Sequence, residues 1–180
     1  MKIGAALLLF ILLAPAIAFA QTAMPDAQHQ FLARLAGHWS VTQSLWLENR
    51  PEPKIDTGEA ELAMVLKDEH LRQTLHINDG TGFEGLSYFG YDTASGQAFS
   101  TWMDVNFPGL IIAYGKFEPE TKRIVLRGII PGAEKVRVRE VLTFIDSSHI
   151  RYDFYETQKN KEALVVRLDY ARLPGEANPH

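Results

Sequence analysis

The residues Leu35-Ala36-Gly37-His38-Trp39 mark the point at which a short helix gives way to a series of strands. Upstream, apolar side chains recur three to four positions apart, as they do on one face of a helix. They are Phe31, Leu32 and Leu35. Gly37 is a residue type at which helices commonly end, and from Trp39 to Leu47 the period changes to two, which is typical of a strand. A helix this short is unstable alone, so we expect it to pack onto the sheet that follows.

Nine further segments carry strand signals, and residues that favour turns separate them. The predicted strands lie near 56–66, 70–77, 83–91, 97–104, 109–117, 123–130, 135–145, 149–157 and 162–172. Short connections between about ten strands favour an all-β fold, a closed antiparallel up-and-down barrel with the helix at its floor. Closure removes the sheet edges, and a barrel of this size is wide enough for a cavity. A β-sandwich is the alternative, although it normally needs longer crossovers.

The first twenty residues have the pattern of a signal peptide. Lys2 provides a positive charge, Ile3 to Leu13 form an apolar stretch, and Ala18-Phe19-Ala20 is a small-x-small cleavage site. The apolar stretch is shorter than the roughly 20 residues of a membrane span. Export with cleavage after Ala20 is therefore favoured over a retained anchor. We predict a periplasmic or secreted protein without stable membrane insertion.

The rest of the chain has the length and composition of one domain. We predict a single barrel domain over residues 21–173 and a flexible tail over 174–180. The sequence contains no cysteine, which excludes disulfides and thiolate metal sites. With Lys2 removed, 17 basic side chains face 22 acidic ones, a balance that argues against nucleic acid as a partner. No pattern in the sequence indicates an oligomeric state.

Two acidic residues lie on strand faces that are otherwise apolar. Glu140 shares a face with Val138 and Leu142, and Glu156 follows Phe154 on the next strand. A carboxylate in an apolar wall is costly unless it is paired or hydrogen-bonded. One interpretation is that these groups face the cavity as a ligand anchor or as a general acid or base. The other is that each pairs with an interior Arg or Tyr, or lies at the barrel mouth where water reaches it.

Five further residues are candidates for a ligand-binding interior, together with Glu140 and Glu156. They are Trp102, Asp104, Tyr114, Tyr152 and, if a β-bulge reverses its orientation, Arg139. The two glutamates are the catalytic candidates, because desolvation on an apolar face should raise the proton affinity of a carboxylate. The sequence has no nucleophile motif. The histidine spacing does not fit a metal site. His70 and His76 lie on one predicted strand but are six residues, roughly 20 Å, apart, which is too far to bind one ion. We therefore expect neither a metal nor a cofactor.

Several segments, in one order along the chain, resemble the bacterial family known as domain of unknown function 1579. They are Leu35-Ala36-Gly37-His38-Trp39, Phe83-Glu84-Gly85, Gly90-Tyr91-Asp92, Ser100-Thr101-Trp102-Met103-Asp104, Val138-Arg139-Glu140-Val141-Leu142-Thr143 and Tyr155-Glu156-Thr157. The resemblance implies a calycin-like barrel, related in shape to lipocalins, fatty-acid-binding proteins and the haem barrel of nitrobindin. It implies no established activity. The family pattern often has a glycine pair where this chain has Lys67-Asp68-Glu69-His70. Haem is a minority alternative, because the last predicted strand offers no proximal histidine.

Three functional hypotheses follow. The first is an exported binding protein for a small, largely apolar or lipid-like molecule held in the barrel. The second is a cofactor-free enzyme, such as an isomerase, cyclase or hydrolase, with a cavity carboxylate as acid or base. The third is a structural or interaction protein whose barrel is filled by its own side chains. We expect a binding protein more than an enzyme, because the predicted cavity is the feature that separates these hypotheses.

Overall fold

A computed structural model describes residues 27–48, 50–132 and 136–174. The predicted signal peptide, 1–20, lies outside the described residues, as does 175–180 of the predicted tail. One helix, α1 (Ala27–Leu35), precedes ten strands. The strands are β1 (Gly37–Leu45), β2 (Lys54–Val65), β3 (His70–Ile77), β4 (Phe83–Asp92), β5 (Gln97–Asp104), β6 (Phe107–Glu118), β7 (Arg123–Ile130), β8 (Val136–Asp146), β9 (His149–Gln158) and β10 (Lys161–Arg172).

The ten strands form a closed barrel in up-and-down order. Each strand pairs antiparallel with its sequence neighbours, and β1 pairs with β10 to complete the ring, as in the partner residues Val41 and Tyr170. The predicted barrel is confirmed, and the sandwich alternative is wrong because the hydrogen-bonded ladder has no open edge. The predicted strands agree with the observed ones to within a few residues. Among the described residues, no helix has the length and hydropathy needed to cross a bilayer.

Helix α1 closes one end of the barrel, which we call the closed end. Phe31, Leu32 and Leu35 are buried, and the Phe31 ring lies 4.5 Å from that of Phe117, centroid to centroid. Trp39 follows with no exposed surface, and its Nε1 donates to the carbonyl oxygen of Leu35 at 3.1 Å. The apolar helix face therefore forms part of the main core, as the spacing of its residues predicts.

Arg172, at the end of β10, ties this end of the barrel together. Its guanidinium lies 4.1 Å from the centre of the Trp39 ring, and one nitrogen donates to the carbonyl oxygen of Ala36 at 2.7 Å. A second nitrogen donates to the carbonyl oxygen of Arg34 at 3.0 Å. These donors satisfy carbonyls that the end of a helix leaves unpaired. The first and last elements of the domain are thus joined at the closed end.

The β2–β3 turn, also at the closed end, is built without glycine. Leu66, Lys67 and Asp68 adopt φ angles of 54°, 61° and 64°. Left-handed backbone costs a residue with a side chain roughly 1–2 kcal/mol. The turn therefore keeps its left-handed path with side chains that disfavour it, at the place where the sequence lacks the family's glycine pair.

The opposite end of the barrel, which we call the open end, has no such cap among the described residues. Because β1 starts at the helix and the strands alternate in direction, the connections after β1, β3, β5, β7 and β9 all lie at the open end. The inward residues near this end include polar side chains such as Gln43 and Ser87. This half of the barrel contains the cavity.

Candidate functional site

A cavity of about 360 Å³ occupies the open half of the barrel. That volume would hold about twelve water molecules at roughly 30 Å³ each. All but one of the strands contribute to its wall. Its apolar lining includes Leu45, Leu75, Phe83, Ile111, Phe154 and Leu168, and its polar lining includes Gln43, Gln73, Ser87, Asp104, Glu140 and Glu156. The arrangement is a largely apolar chamber with a small number of polar groups.

Glu140 is the most buried carboxyl group of the cavity lining. It lies in the middle of β8, its side chain points into the barrel, and it is only 3% exposed. The Ser100 hydroxyl donates to its Oε2 at 2.7 Å, and the Tyr152 hydroxyl also hydrogen-bonds to the carboxyl. Burial raises the pKa of the Glu140 carboxyl, and these two hydrogen bonds oppose that rise. No cation among the described residues neutralises the group, so the protein favours its protonated form more than water does.

Tyr152 links Glu140 to the rest of the cavity wall. Burial raises the pKa of the Tyr152 hydroxyl well above its usual value, and the nearby Glu140 carboxyl adds to the rise. The hydroxyl therefore keeps its proton and acts as a hydrogen-bond donor. Deeper in the barrel the Tyr170 hydroxyl donates to Oε1 of Gln73 at 3.2 Å, and burial raises the pKa of Tyr170 too. The Glu140 carboxyl and the Gln73 amide thus accept hydrogen bonds from hydroxyl groups that carry no charge.

Trp102 and Asp104 form one side of the open rim. The Trp102 Nε1 donates to Oδ2 of Asp104 at 2.7 Å, and Oδ1 of Asp104 accepts from the backbone nitrogens of Asn106 and Phe107. The indole lies close to the Phe83 ring, with centroids 6.4 Å apart and planes 19° from parallel. Asp104 therefore fixes both the β5–β6 turn and the orientation of the indole.

A glycine makes room for that indole. Gly85 pairs with Asp104 across the β4–β5 ladder, and a Cβ added to Gly85 would overlap the Trp102 ring. The ring consequently lies against bare backbone. The position of Trp102 is set by two neighbours, a hydrogen-bond acceptor on its own strand and a missing side chain on the next.

Two more carboxylates reach the cavity at its open end. Asp79, in the β3–β4 connection, accepts from the backbone nitrogen and the hydroxyl of Thr81, both at 2.8 Å. These hydrogen bonds lower the pKa of Asp79, so it is ionised at neutral pH. Glu156, near the end of β9, accepts from the side-chain amide of Gln158 at 3.3 Å. Glu156 thus lies where the second interpretation of the sequence placed it, at the mouth.

Five of the seven residues predicted to line the interior do so. They are Trp102, Asp104, Glu140, Tyr152 and Glu156. Their role in ligand binding stays a prediction. The expectation that Tyr114 faces inward is wrong: it is 54% exposed and lies on the outer wall of β6. Its inward neighbours on β6 are Ala113 and Gly115. Because these residues are small, the inward face of β6 is no more hydrophobic than the outward face, and alternation does not show which face is inside.

Arg139 also lies outside the barrel. No bulge interrupts the pairing of β7 with β8 around it, so its side chain points away from Glu140 and into the outer wall. There it stacks over the Tyr155 ring, 3.8 Å from its centroid, and forms a bidentate pair with Glu162 at 2.9 and 2.7 Å. The expectation that Arg139 supplies a counter-charge to the cavity is therefore wrong.

Sequence reasoning missed the neutral polar residues of the interior. Ser100 and Gln73 are 2% and 5% exposed, yet each hydrogen-bonds to a partner far away in the sequence. Ser100 shares the parity of Trp102, which is a usable signal. Gln73 lies between Leu71 and Leu75, which are both fully buried, and that alternation places it inside. Both were obscured because a polar residue on a strand normally indicates the outer face.

The described part of the chain brings no three His, Cys, Asp or Glu residues together in a way that could hold a metal ion. The described lining of the cavity includes no His, Met or Cys, and Tyr152 is its one side chain of a type that ligates haem iron. That hydroxyl is engaged with Glu140. These residues therefore do not fit haem ligation. The chemistry that the cavity can supply is hydrogen bonding, proton transfer and negative charge.

One comparison with known proteins shows the family. The model of "Protein of unknown function (DUF1579)" matches residues 24–172, which include α1 and all ten strands. The chain belongs to this family. No curated protein matches the sequence. Among solved structures, the chain is similar to a redesigned β-barrel, with 15% identity, a TM-score of 0.40 and coverage of 79% of this chain and 94% of that one. It is also similar to EF1p2_mFAP2b bound to DFHBI, with 11% identity, a TM-score of 0.43 and coverage of 81% and 98%.

Proposed function

We propose that this protein is an exported barrel that binds a small molecule with a largely apolar body in the cavity of its open half. The cavity carries the proposal. About 360 Å³ of space is enclosed by strands, and aliphatic and aromatic side chains make up most of its wall. Small-molecule sites have this size and composition, with a few polar groups that orient the ligand.

A barrel filled by its own side chains, the third hypothesis, does not fit a void of this volume. Filled interiors leave few gaps larger than a single water molecule. Here the inward positions near the open end include Ser87, where a larger side chain would extend into the space. The chain fills the closed end densely and leaves the other end hollow. This contrast favours binding over a purely structural role.

The test is a thermal-shift titration with 1-octanol and naphthalene, two neutral apolar probes. A ligand that binds the folded state raises its stability by mass action, by about 2.7 kcal/mol at a concentration 100 times its Kd. We expect both probes to raise the Tm of the native chain. In Ser87→Phe the added ring should occupy the cavity and remove the shift. Thr42→Phe adds a similar ring to an exposed position on β1 and should leave the shift intact.

The proposal fails if neither probe changes the Tm of the native chain. It also fails if Ser87→Phe and Thr42→Phe respond alike, because binding would then take place outside the barrel.

The proposed export is supported by the pattern of residues 1–20. The mass of the protein recovered from the periplasm of a producing bacterium tests it. The expected mature chain begins at Gln21. Recovery of the uncleaved chain from the cytoplasm would overturn the proposed location without affecting the proposed binding.

An enzymatic role is the second candidate, and the environment of Glu140 favours it. A buried carboxyl with a raised pKa, aimed into a cavity and with no arginine partner among the described residues, is a suitable general acid or base. Incubating a periplasmic small-molecule extract with the native chain and with Glu140→Gln, followed by mass spectrometry, tests it. Conversion by the native chain and not by the variant supports catalysis. Identical extracts in both incubations argue for binding alone.

A further inference from the structure

The charges that face the cavity are all of one sign. Four carboxyl groups line it, those of Asp79, Asp104, Glu140 and Glu156, and the described lining contains no Lys, Arg or His. An apolar chamber with charges of one sign at its mouth concentrates the electric field there, because its walls have a low dielectric constant. The sign of this field constrains which molecules can enter.

The four carboxyl groups have neutral partners in the described structure. Asp104 accepts from the Trp102 indole and from backbone nitrogens, and Glu140 accepts from Ser100 and Tyr152. Glu156 accepts from an amide, as described above. Lys54 attracts Asp79 from a distance, but its ammonium pairs with Asp56 at 3.0 Å. Hydrogen bonds of this kind hold a carboxylate in place without cancelling its charge.

The arginines of the adjoining strands are committed to the outer wall. Arg139 pairs with Glu162 at 2.7 Å and Arg167 with Asp153 at 2.6 Å. These arginines therefore lie on the other side of the sheet.

Lys54 shares the inward-facing parity of β2 with Asp56 and forms an ion pair with it. At the mouth, Asp104 and Glu156 have no basic partner among the described residues, and Asp79 is attracted by Lys54. Glu140, deeper inside, is held towards its neutral form.

Aromatic rings share the rim with these carboxylates. Trp102 and Phe83 lie nearly parallel at 6.4 Å, and Phe107 and Phe154 also line the cavity. The face of an aromatic ring attracts cations, with Trp the strongest, and aromatic sites for quaternary ammonium groups use this attraction. An indole fixed by Asp104, at a rim that also carries Asp79 and Glu156, is suited to an ammonium group whose apolar body extends into the chamber.

We infer that the ligand of this cavity is a cationic amphiphile, a molecule with an ammonium head that lies at the rim and an apolar body that fills the interior, and that carboxylate-bearing amphiphiles such as fatty acids are excluded. This inference rests on the proposed function and narrows it. The four carboxyl groups, the absence of a cation from the described lining and the fixed indole carry it together.

Three probes with one tail test the inference: octyltrimethylammonium, 1-octanol and octanoate, titrated calorimetrically into the native chain below micelle-forming concentrations. We expect the ammonium probe to bind roughly tenfold more tightly than the alcohol, the size of effect that one cation–π contact and nearby carboxylates provide. Octanoate should bind most weakly. The advantage of the ammonium probe should shrink as salt is added, because salt screens charges at an exposed rim.

A matched pair of variants locates the effect. Glu156→Gln removes one charge from the rim, and Glu162→Gln removes one charge from the outer wall. We expect the first to reduce the preference for the ammonium probe over octanol by about threefold and the second to leave it unchanged. Equal effects of the two variants would overturn the assignment of the head group to the rim.

The outcomes separate this inference from the proposed function. Equal binding of all three probes, or a preference for octanoate, overturns the cationic ligand and leaves the apolar cavity as a binding site. If none of the probes binds, the proposed function itself fails.

Discussion

The closed end and the open end of this barrel are formed by the same strands, yet one is packed and the other is hollow. On β1 the inward residues run from Trp39, with no exposed surface, to Gln43 and Leu45 on the cavity wall. On β9 they run from Ile150, 1% exposed, to Glu156 at the rim. The difference teaches that tight packing at one end can hold the ring closed, so that polar and charged groups are tolerated at the other.

The largest expected effect compares two tryptophans. Trp39→Ala should destabilise the protein by about 3–5 kcal/mol, because it removes a fully buried indole together with its contacts to α1 and Arg172. Trp102→Ala, at the half-buried rim, should cost less than half as much. Urea unfolding of both variants measures the difference. Equal losses would show that the two ends contribute alike to stability.

Two glycines sharpen the comparison. A Cβ at Gly115, near the closed end, would overlap the backbone of Val125, which cannot move without breaking the ladder. Gly115→Ala should therefore cost about 1–3 kcal/mol. At Gly85 the obstacle is the Trp102 side chain, which can rotate, so Gly85→Ala should cost less and should shift the tryptophan emission. If Gly85→Ala proves the more costly, the rim is more rigid than its geometry indicates.

Glu140, at the hollow end, should also make the stability of the protein depend on pH, and substitution of Glu140 should remove this dependence. Because burial raises the pKa of Glu140 in the folded state, the folded protein binds more protons than the unfolded chain above the ordinary glutamate pKa of about 4.3. This stabilising contribution is complete below that pH and is lost as the pH rises through the folded-state pKa. Each pH unit within the window costs at most about 1.4 kcal/mol.

Glu140→Gln keeps the acceptor for Ser100 and removes the charge, so the variant should gain stability relative to the native chain as the pH rises from 4 to 8. The free energy of unfolding in urea, measured for both proteins across this range, gives the result. Glu162→Gln is the control with the opposite sign: the hydrogen bond from Arg139 lowers the pKa of Glu162, so its contribution is lost as the pH falls. Parallel curves for Glu140→Gln and the native chain would contradict a desolvated Glu140.

The smallest effect concerns the outer wall. Arg139→Ala removes a partly exposed ion pair with Glu162, and such pairs contribute about 0–1 kcal/mol. We expect a small loss of stability and no change in the affinity of the cavity for octanol. A large change in affinity would indicate that Arg139 acts on the cavity after all, despite its outward orientation.

The sequence predicts the strands of this fold well because alternation and turn residues are local signals. It predicts less well which side chains point into the barrel, because on some strands the inward and outward residues do not differ in polarity. On β6 the chain alternates large apolar residues outside with small ones inside, so Ile112 is 39% exposed while Ala113 is fully buried. On β10 a register shift between Leu164 and Val166 reverses the parity that alternation implies. The side-chain size that fits inside the barrel and the position of a bulge both depend on the neighbouring strands. The sequence of one strand does not contain this information.

In the candidate site, too, the sequence predicts the features with a local signal and misses those that depend on distant strands. Glu140 stands out locally, since a carboxyl between Val138 and Leu142 violates the apolar pattern of its strand. Its partner Ser100, however, is forty residues away, and no local signal connects the two. The neutral character of the interior network and the one-sided charge of the rim arise only when distant strands are brought side by side.

The joining of α1 and β1 to β10 through Arg172 has a consequence for synthesis. The ring can close only when the last strand is available, so a nascent chain that ends before Lys161 exposes unpaired edges on both β1 and β9. Contacts between such distant parts of a chain also make folding slow, on the order of milliseconds to seconds. Partial chains emerging from the ribosome therefore cannot adopt the native fold. The completed polypeptide folds slowly enough for a chaperone to bind it first.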